Sequence, residues 1–246
     1  DFSVSGAEKA KPVTGGCDFG SVVNVDHHAP IDSMARHVSS TNLAIERIHE
    51  LGPEPSDSVV IISHTDCDSV LSSGIMSGRL QPNSAFGAAA IAADHTGEPN
   101  DIADLLQGID DVWDKSKPKD PLYFIDLVQR FVDSGESALD AIASNGLADR
   151  QRKRDAAADA VNKGVITVID GLAFGCPPER LDGEFFPALL PDAVAILLMS
   201  PSRTYPSRWD AKIRLGPAAP ASASLLKIGI HDFDPAFVGR WNAGSN

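Results

Sequence analysis

Short β-branched runs that stop at acids and imidazoles set the pattern of the first hundred residues. Val22-Val23-Asn24-Val25 leads into Asp26-His27-His28, and Val59-Val60-Ile61-Ile62 leads into His64-Thr65-Asp66-Cys67-Asp68. Each run predicts a buried strand giving way to a loop. Between them, Asn42 to Leu51 has apolar residues at helical spacing, a Ser39 to Thr41 cap and a Gly52-Pro53 stop. Strand, helix, strand is therefore the expected unit, and its sheet is expected to be parallel. Phe86 to Ala93 is a further apolar run ending in an acid, Asp94, with a turn glycine at Gly97, and it repeats the layout of strand followed by ligand.

Downstream, Asp101 to Trp113 and Pro121 to Ser134 read as packing helices, the first through Ile102, Leu105, Leu106 and Ile109. Ala138 to Asn162 continues in that style, and its basic patch Arg150, Arg152, Lys153 and Arg154 is expected to be a solvated face. Val165 to Ile169, Val194 to Met199 and Ala211 to Leu215 read as strands. The fold class predicted is α/β, a mainly parallel sheet with helices on both faces plus a small C-terminal α/β domain. Its boundary is placed near Pro191, giving a catalytic domain over 1–190 and a substrate-binding domain over 191–246. The second part sets Arg203, Arg208, Lys212, Arg214, Lys227 and Arg240 against Asp210, Asp232 and Asp234, a balance that suits an anion-holding lid.

The two ligand-rich clusters change this from a generic fold to a candidate site. In open parallel sheets, ligands bind beyond the carboxyl ends of strands, so both clusters are expected on one rim. Carboxylates interleaved with imidazoles offer oxygens and neutral nitrogens suited to manganese, cobalt, zinc or magnesium. Without a cation, Asp26, Asp66 and Asp68 would repel one another, and a dication removes that cost. Asp94 is the third candidate cluster. The net charge of −13 argues against a protein held on long nucleic acid by a basic surface. Three widely spaced cysteines, Cys17, Cys67 and Cys176, fit reduced thiols, with Cys67 pointing into the core. With no long apolar run and no export signal, a cytoplasmic location without membrane attachment is the expectation, and the sequence is compatible with an oligomer.

Val25-Asp26-His27-His28 followed by Ser39-Ser40-Thr41 resembles the signature of the DHH phosphoesterase superfamily. His64-Thr65-Asp66-Cys67-Asp68-Ser69 is similar to that family's His/Asp/Asp metal motif, and Ile91-Ala92-Ala93-Asp94-His95-Thr96-Gly97 to its Asp-Thr-Gly segment, with His95 as an insertion. Gly239-Arg240-Trp241-Asn242-Ala243-Gly244-Ser245-Asn246 resembles the glycine-rich, substrate-facing motif of the family's C-terminal domain. The sequence begins at Asp1 and stops at Asn246 inside that motif, so further residues are expected past both ends. The motif order is reversed from the family's, which implies a permuted strand order.

The resemblance implies a hydrolase for phosphoesters or phosphoanhydrides. It implies two divalent metal ions, manganese first, held by His27, His64, Asp66, Asp68 and Asp94. His28 would protonate the leaving oxygen, and Asp26 would orient a ligand histidine. Asp18, Asp94 and Asp170 compete as the metal-bridging acid, with Asp94 preferred. Arg240, with Asn242, Ser245 and Arg203, would hold the substrate, a small phosphorylated metabolite, nucleotide or short oligonucleotide. Two other classes stay open: a metallohydrolase acting on a non-phosphate bond, and a non-catalytic module that binds a nucleotide or metal.

Overall fold

The structure, a computed structural model, describes residues 11–27, 38–202, 205, 207–227, 236–239 and 242–245. The chain divides into two compact units, one of residues up to Asp94 with Pro99–Arg150, the other of His95–Glu98 with Gln151–Asn246. The boundary expected near Pro191 thus falls inside the second unit.

The first unit begins with a three-stranded antiparallel meander, β1 (Lys11–Val13), β2 (Gly16–Phe19) and β3 (Val22–Asn24). Helices build the rest. α1 (Ser40–Leu51) starts at a capping box in which Ser39 Oγ accepts from the Asn42 N–H and the Asn42 side chain accepts from the Ser39 N–H. It ends where Gly52, at φ 81°, takes a backbone angle that L side chains rarely adopt. Asp66 caps α2 (Cys67–Met76), Asn83 caps α3 (Ser84–Ile91), Asn100 caps α4 (Asp101–Val112) and Asp120 caps α5 (Pro121–Ser134). Leu71, Ile75, Leu105, Leu106, Ile109, Phe124 and Leu127 are fully buried between them. Each such side chain contributes about 1.5–3 kcal/mol by leaving water.

Two strand expectations are corrected. Phe86 to Ala93 is helical, forming α3 and the start of a π-helical turn, Ala92–Thr96. The run is mostly alanine, the strongest helix former, and Asn83 Oδ1 accepts the Ala85 N–H at its start. Val59 to Ile62 forms no strand and joins no sheet among the described residues, and it leaves Val59 82% and Ile61 71% exposed. A β-branched pattern specifies an extended chain but does not supply the neighbour that would bury it.

α6 (Ala141–Asn162) runs from the first unit into the second. In the second unit a sheet of β4 (Ile166–Ile169), β5 (Leu172–Gly175), β6 (Ala195–Pro201), β7 (Trp209–Leu215), β8 (Val238–Gly239) and β9 (Ala243–Ser245) has the order β4-β5-β6-β7-β9-β8. Short α7 (Phe186–Leu189) precedes β6. Only β5 and β6 are parallel among the described strands; the other pairs are antiparallel. The sheet is therefore mixed, not mainly parallel as expected. β4 and β5 form a hairpin whose two turn residues, Asp170 and Gly171, both have positive φ, the geometry that an Asp-Gly pair favours. Ala157 and Ala160 of α6 pack with Ile166, Phe185, Phe186, Ile196 and Leu198 as this unit's core.

The expected solvated face on α6 is only partly present. Arg152 is exposed, but Arg150 is buried at 4% exposure beside Asp104 (3.6 Å) and Asp111 (3.8 Å). Arg154 donates to the Gly97 carbonyl at 2.8 Å and lies over the Phe185 ring. Where α4 and α6 cross, a Cβ on Gly146 would stand 2.6 Å from the Gly108 carbonyl carbon. Gly146→Ala should therefore destabilise the protein by about 1–3 kcal/mol through overpacking, although alanine favours helices by about 1 kcal/mol. Urea denaturation of the purified variant measures the sign; a gain in stability would show that the helices do not meet there.

Candidate metal centre

β3 delivers Asp26 and His27 into the interior of the first unit, at 4% and 1% exposure. His27 is held on both ring edges. Its Nδ1 lies 3.2 Å from Asp68 Oδ2 and 3.2 Å from Ser40 Oγ, and its Nε2 lies 3.4 Å from Asp94 Oδ2. Asp94 comes from the π-helical turn, a distortion found often at functional sites. Of the described residues, His27 and Asp94 converge closely enough to share a cation, and His95 follows Asp94 in the same turn.

Asp68 lies in the first turn of α2 and is fully buried. Its carboxylate meets the start of α1, where Oδ2 accepts the Ser40 N–H (2.9 Å) and Oδ1 accepts both the Thr41 N–H (2.8 Å) and the Thr41 hydroxyl (2.7 Å). A helix N-terminus favours an anion there. Burial alone would push the Asp68 carboxyl up, but His27 and the Thr41 donors outweigh it and hold the group well below the ordinary carboxylate range.

His64 and Asp66 form a second pair. His64 Nε2 lies 2.8 Å from Asp66 Oδ2, and His64 Nδ1 lies 2.7 Å from Ser63 Oγ. Asp66 also caps α2 by accepting the Ser69 N–H at 2.9 Å. The hydrogen bond to Asp66 pushes His64 up; burial would raise Asp66, but His64 and the Ser69 N–H hold it down. The intervening loop is fixed from α4 and beyond: Thr65 donates to Asp110, which also holds Lys119, and the Cys67 N–H donates to Gln107. Cys67 itself is wholly buried in the apolar core, which pushes its thiol well above the ordinary value. A cavity of about 380 Å³ opens beside His64, Asp66, Asp110 and Lys119.

Asp170 is taken up by its hairpin turn, and Asp18 sits on β2 with a buried Oδ1 that has no hydrogen-bond partner. In the second unit Asn242 is buried, its side-chain amide 2.9 Å from His95 Nδ1. Ser245 pairs with Lys212 in the sheet and lines a cavity of about 570 Å³ with Lys212, Arg214, Asp182 and Glu184. His28, Arg203 and Arg240 lie outside the described residues. No motif in the sequence links Ser40 and Thr41 to Asp68. The signal was the Ser39-Ser40-Thr41 helix start itself, whose open N–H groups require an acceptor.

No protein-family model matches the chain, and no curated protein sequence matches it. Among solved structures it is similar to the pGpG-specific phosphodiesterase PggH of Vibrio cholerae, at 9% identity and a TM-score of 0.46, over 71% of this chain and 66% of that one, just under two thirds. No helix among the described residues is long and apolar enough to cross a membrane.

Because the Asp68 carboxyl is lowered on folding, its ionised form stabilises the protein above the ordinary carboxylate range. That contribution is lost as pH falls from about 4 towards the folded value. Asp68→Ala should cost about 3–5 kcal/mol at neutral pH, since it strands the donors of His27, Ser40 and Thr41. Urea denaturation from pH 7 to pH 3 should show the gap between variant and parent narrowing with acid; a pH-independent gap would contradict the assignment.

Proposed function

We propose that the protein is a metal-dependent hydrolase of small phosphorylated substrates, acting on a phosphoester or phosphoanhydride, with a nucleotide or short oligonucleotide as the favoured class. The observation that carries this reading is the His27 and Asp94 pair, with Nε2 and Oδ2 3.4 Å apart, on a ring whose Nδ1 edge faces a buried carboxylate. Two atoms each about 2.0–2.2 Å from one cation stand at most about 4.4 Å apart, so the separation fits a shared ion. The donors, an imidazole and a carboxylate, suit manganese, cobalt, magnesium or zinc.

His64 and Asp66, from one loop, are the donors for a second ion; to bind it, His64 gives up its bond to Asp66 or to Ser63. Bound dications acidify water and offset charge on phosphoryl oxygens. The chain's own groups do the rest. His28 protonates the leaving oxygen. Asp26, buried beside His27 in sequence, orients a ligand histidine. Arg203, Arg240, Asn242 and Ser245 hold the substrate's anionic groups.

The test combines elemental analysis after loading with manganese and a phosphate- or nucleotide-release assay over pyrophosphate, a dinucleotide and bis-p-nitrophenyl phosphate. The wild type should bind manganese and hydrolyse at least one of them. His27→Ala and Asp94→Ala should each lose metal and turnover together, whereas His28→Ala should keep its metal and lose about 10²–10⁴-fold in rate. A wild type that takes up no manganese and cleaves nothing in the panel would refute the proposal.

A further inference from the structure

We infer that Asp110 is a positioning residue for the loop that presents His64 and Asp66, acting through the buried hydroxyl of Thr65 between them. This deepens the proposed function and rests on it for the ion, since that loop is read there as the holder of one. Residues 63–66 belong to no helix and no strand among the described residues, so regular backbone pairing does not fix where the imidazole and the carboxylate stand. α4 does this instead. Thr65 is buried and its hydroxyl donates to Asp110 Oδ1 at 3.1 Å, while the Cys67 N–H donates to Gln107 Oε1 at 3.3 Å. Gln107 and Asp110 stand three residues apart, on one face of a helix whose Leu105, Leu106 and Ile109 are wholly buried. Residues 65 and 67 are thus tied to a rigid element. Residues 64 and 66, which alternate with them, line the cavity that Asp110 and Lys119 also border.

Asp110 is neither a third ligand nor a plain surface ion pair. Its Oδ1 receives the Lys119 ammonium as well as the Thr65 hydroxyl, so its charge is already matched within the protein. It does not complete a three-donor set with His64 and Asp66, because the ligand atoms of the three do not converge closely enough to share an ion. The Asp110 and Lys119 side chains are both partly exposed, and a pair of that kind adds little to stability. Removing Asp110 therefore leaves the fold in place, and the effect falls on the loop. Ligands need support from the groups behind them to stand at productive geometry, and loss of such a group lowers metal affinity about 10–100-fold.

The experiment is manganese titration, with the ions bound per chain counted, of the wild type, Thr65→Val, Thr65→Ser, Asp110→Ala and the Thr65→Val/Asp110→Ala double variant. Thr65→Val and Asp110→Ala should each weaken one ion about 10–100-fold and leave the other at wild-type affinity. Thr65→Ser keeps the hydroxyl and should match the wild type. The double variant should be no weaker than the weaker single one, because both changes cut the same connection. An Asp110→Ala protein that loses affinity while Thr65→Val keeps it marks a direct ligand and overturns the inference, as does wild-type affinity in both. A second measurement needs no metal: exchange of the Cys67 amide hydrogen, followed by NMR, should quicken about 10-fold in Thr65→Val and Asp110→Ala, with the amides of Phe124 to Val128 unchanged. An unchanged Cys67 rate, or equal quickening at both places, also overturns it. If the wild type binds no manganese, the proposed function falls, and the Cys67 amide still decides whether Asp110 holds the loop.

Discussion

A single buried carboxylate fixes the first unit's site. Asp68 satisfies the open N–H groups at the start of α1, belongs by backbone to the first turn of α2, and faces the ring of His27. An unpaired charge at that depth would be intolerable, and two N–H groups without an acceptor would cost about 1–3 kcal/mol each. Each side solves the other's problem. The result is that two helices and the end of β3 meet in a fixed geometry, and the imidazole acquires one defined orientation.

Much of this unit could be read from the sequence because its helices announce their own ends. Asn100 before the Ile102, Leu105, Leu106, Ile109 stripe and Asp120 before Pro121 are local signals, and α4 and α5 lie where they place them. The sheet was harder to read. Val59 to Ile62 has the composition of a buried strand, yet burial depends on a partner elsewhere in the chain, and none of the described residues supplies it. The Phe86 to Ala93 run failed for a different reason: short apolar runs do not distinguish strand from helix, and alanine content decided the matter.

The site was legible as a set of residues more than as a set of roles. The run of acids and imidazoles drew attention to His27, Asp68 and Asp94, and those side chains do meet. What the sequence does not display is that the Asp68 carboxylate accepts from Ser40 and Thr41, far along the chain. The second unit shows the same limit. The resemblance marks Asn242 as a substrate-holding residue, and in the structure its side-chain amide meets His95, the residue that interrupts the family-like segment.

The helix crossing at Gly108 and Gly146 reaches the chemistry from a distance. Gly108 shares α4 with Gln107 and Asp110, the two side chains that pin the loop from Thr65 to Cys67. A single methyl group at the crossing would therefore press on the helix whose side chains anchor that loop. Disturbance of the candidate site can thus begin where none of its own side chains is altered, in a stretch of helix that looks like mere scaffolding.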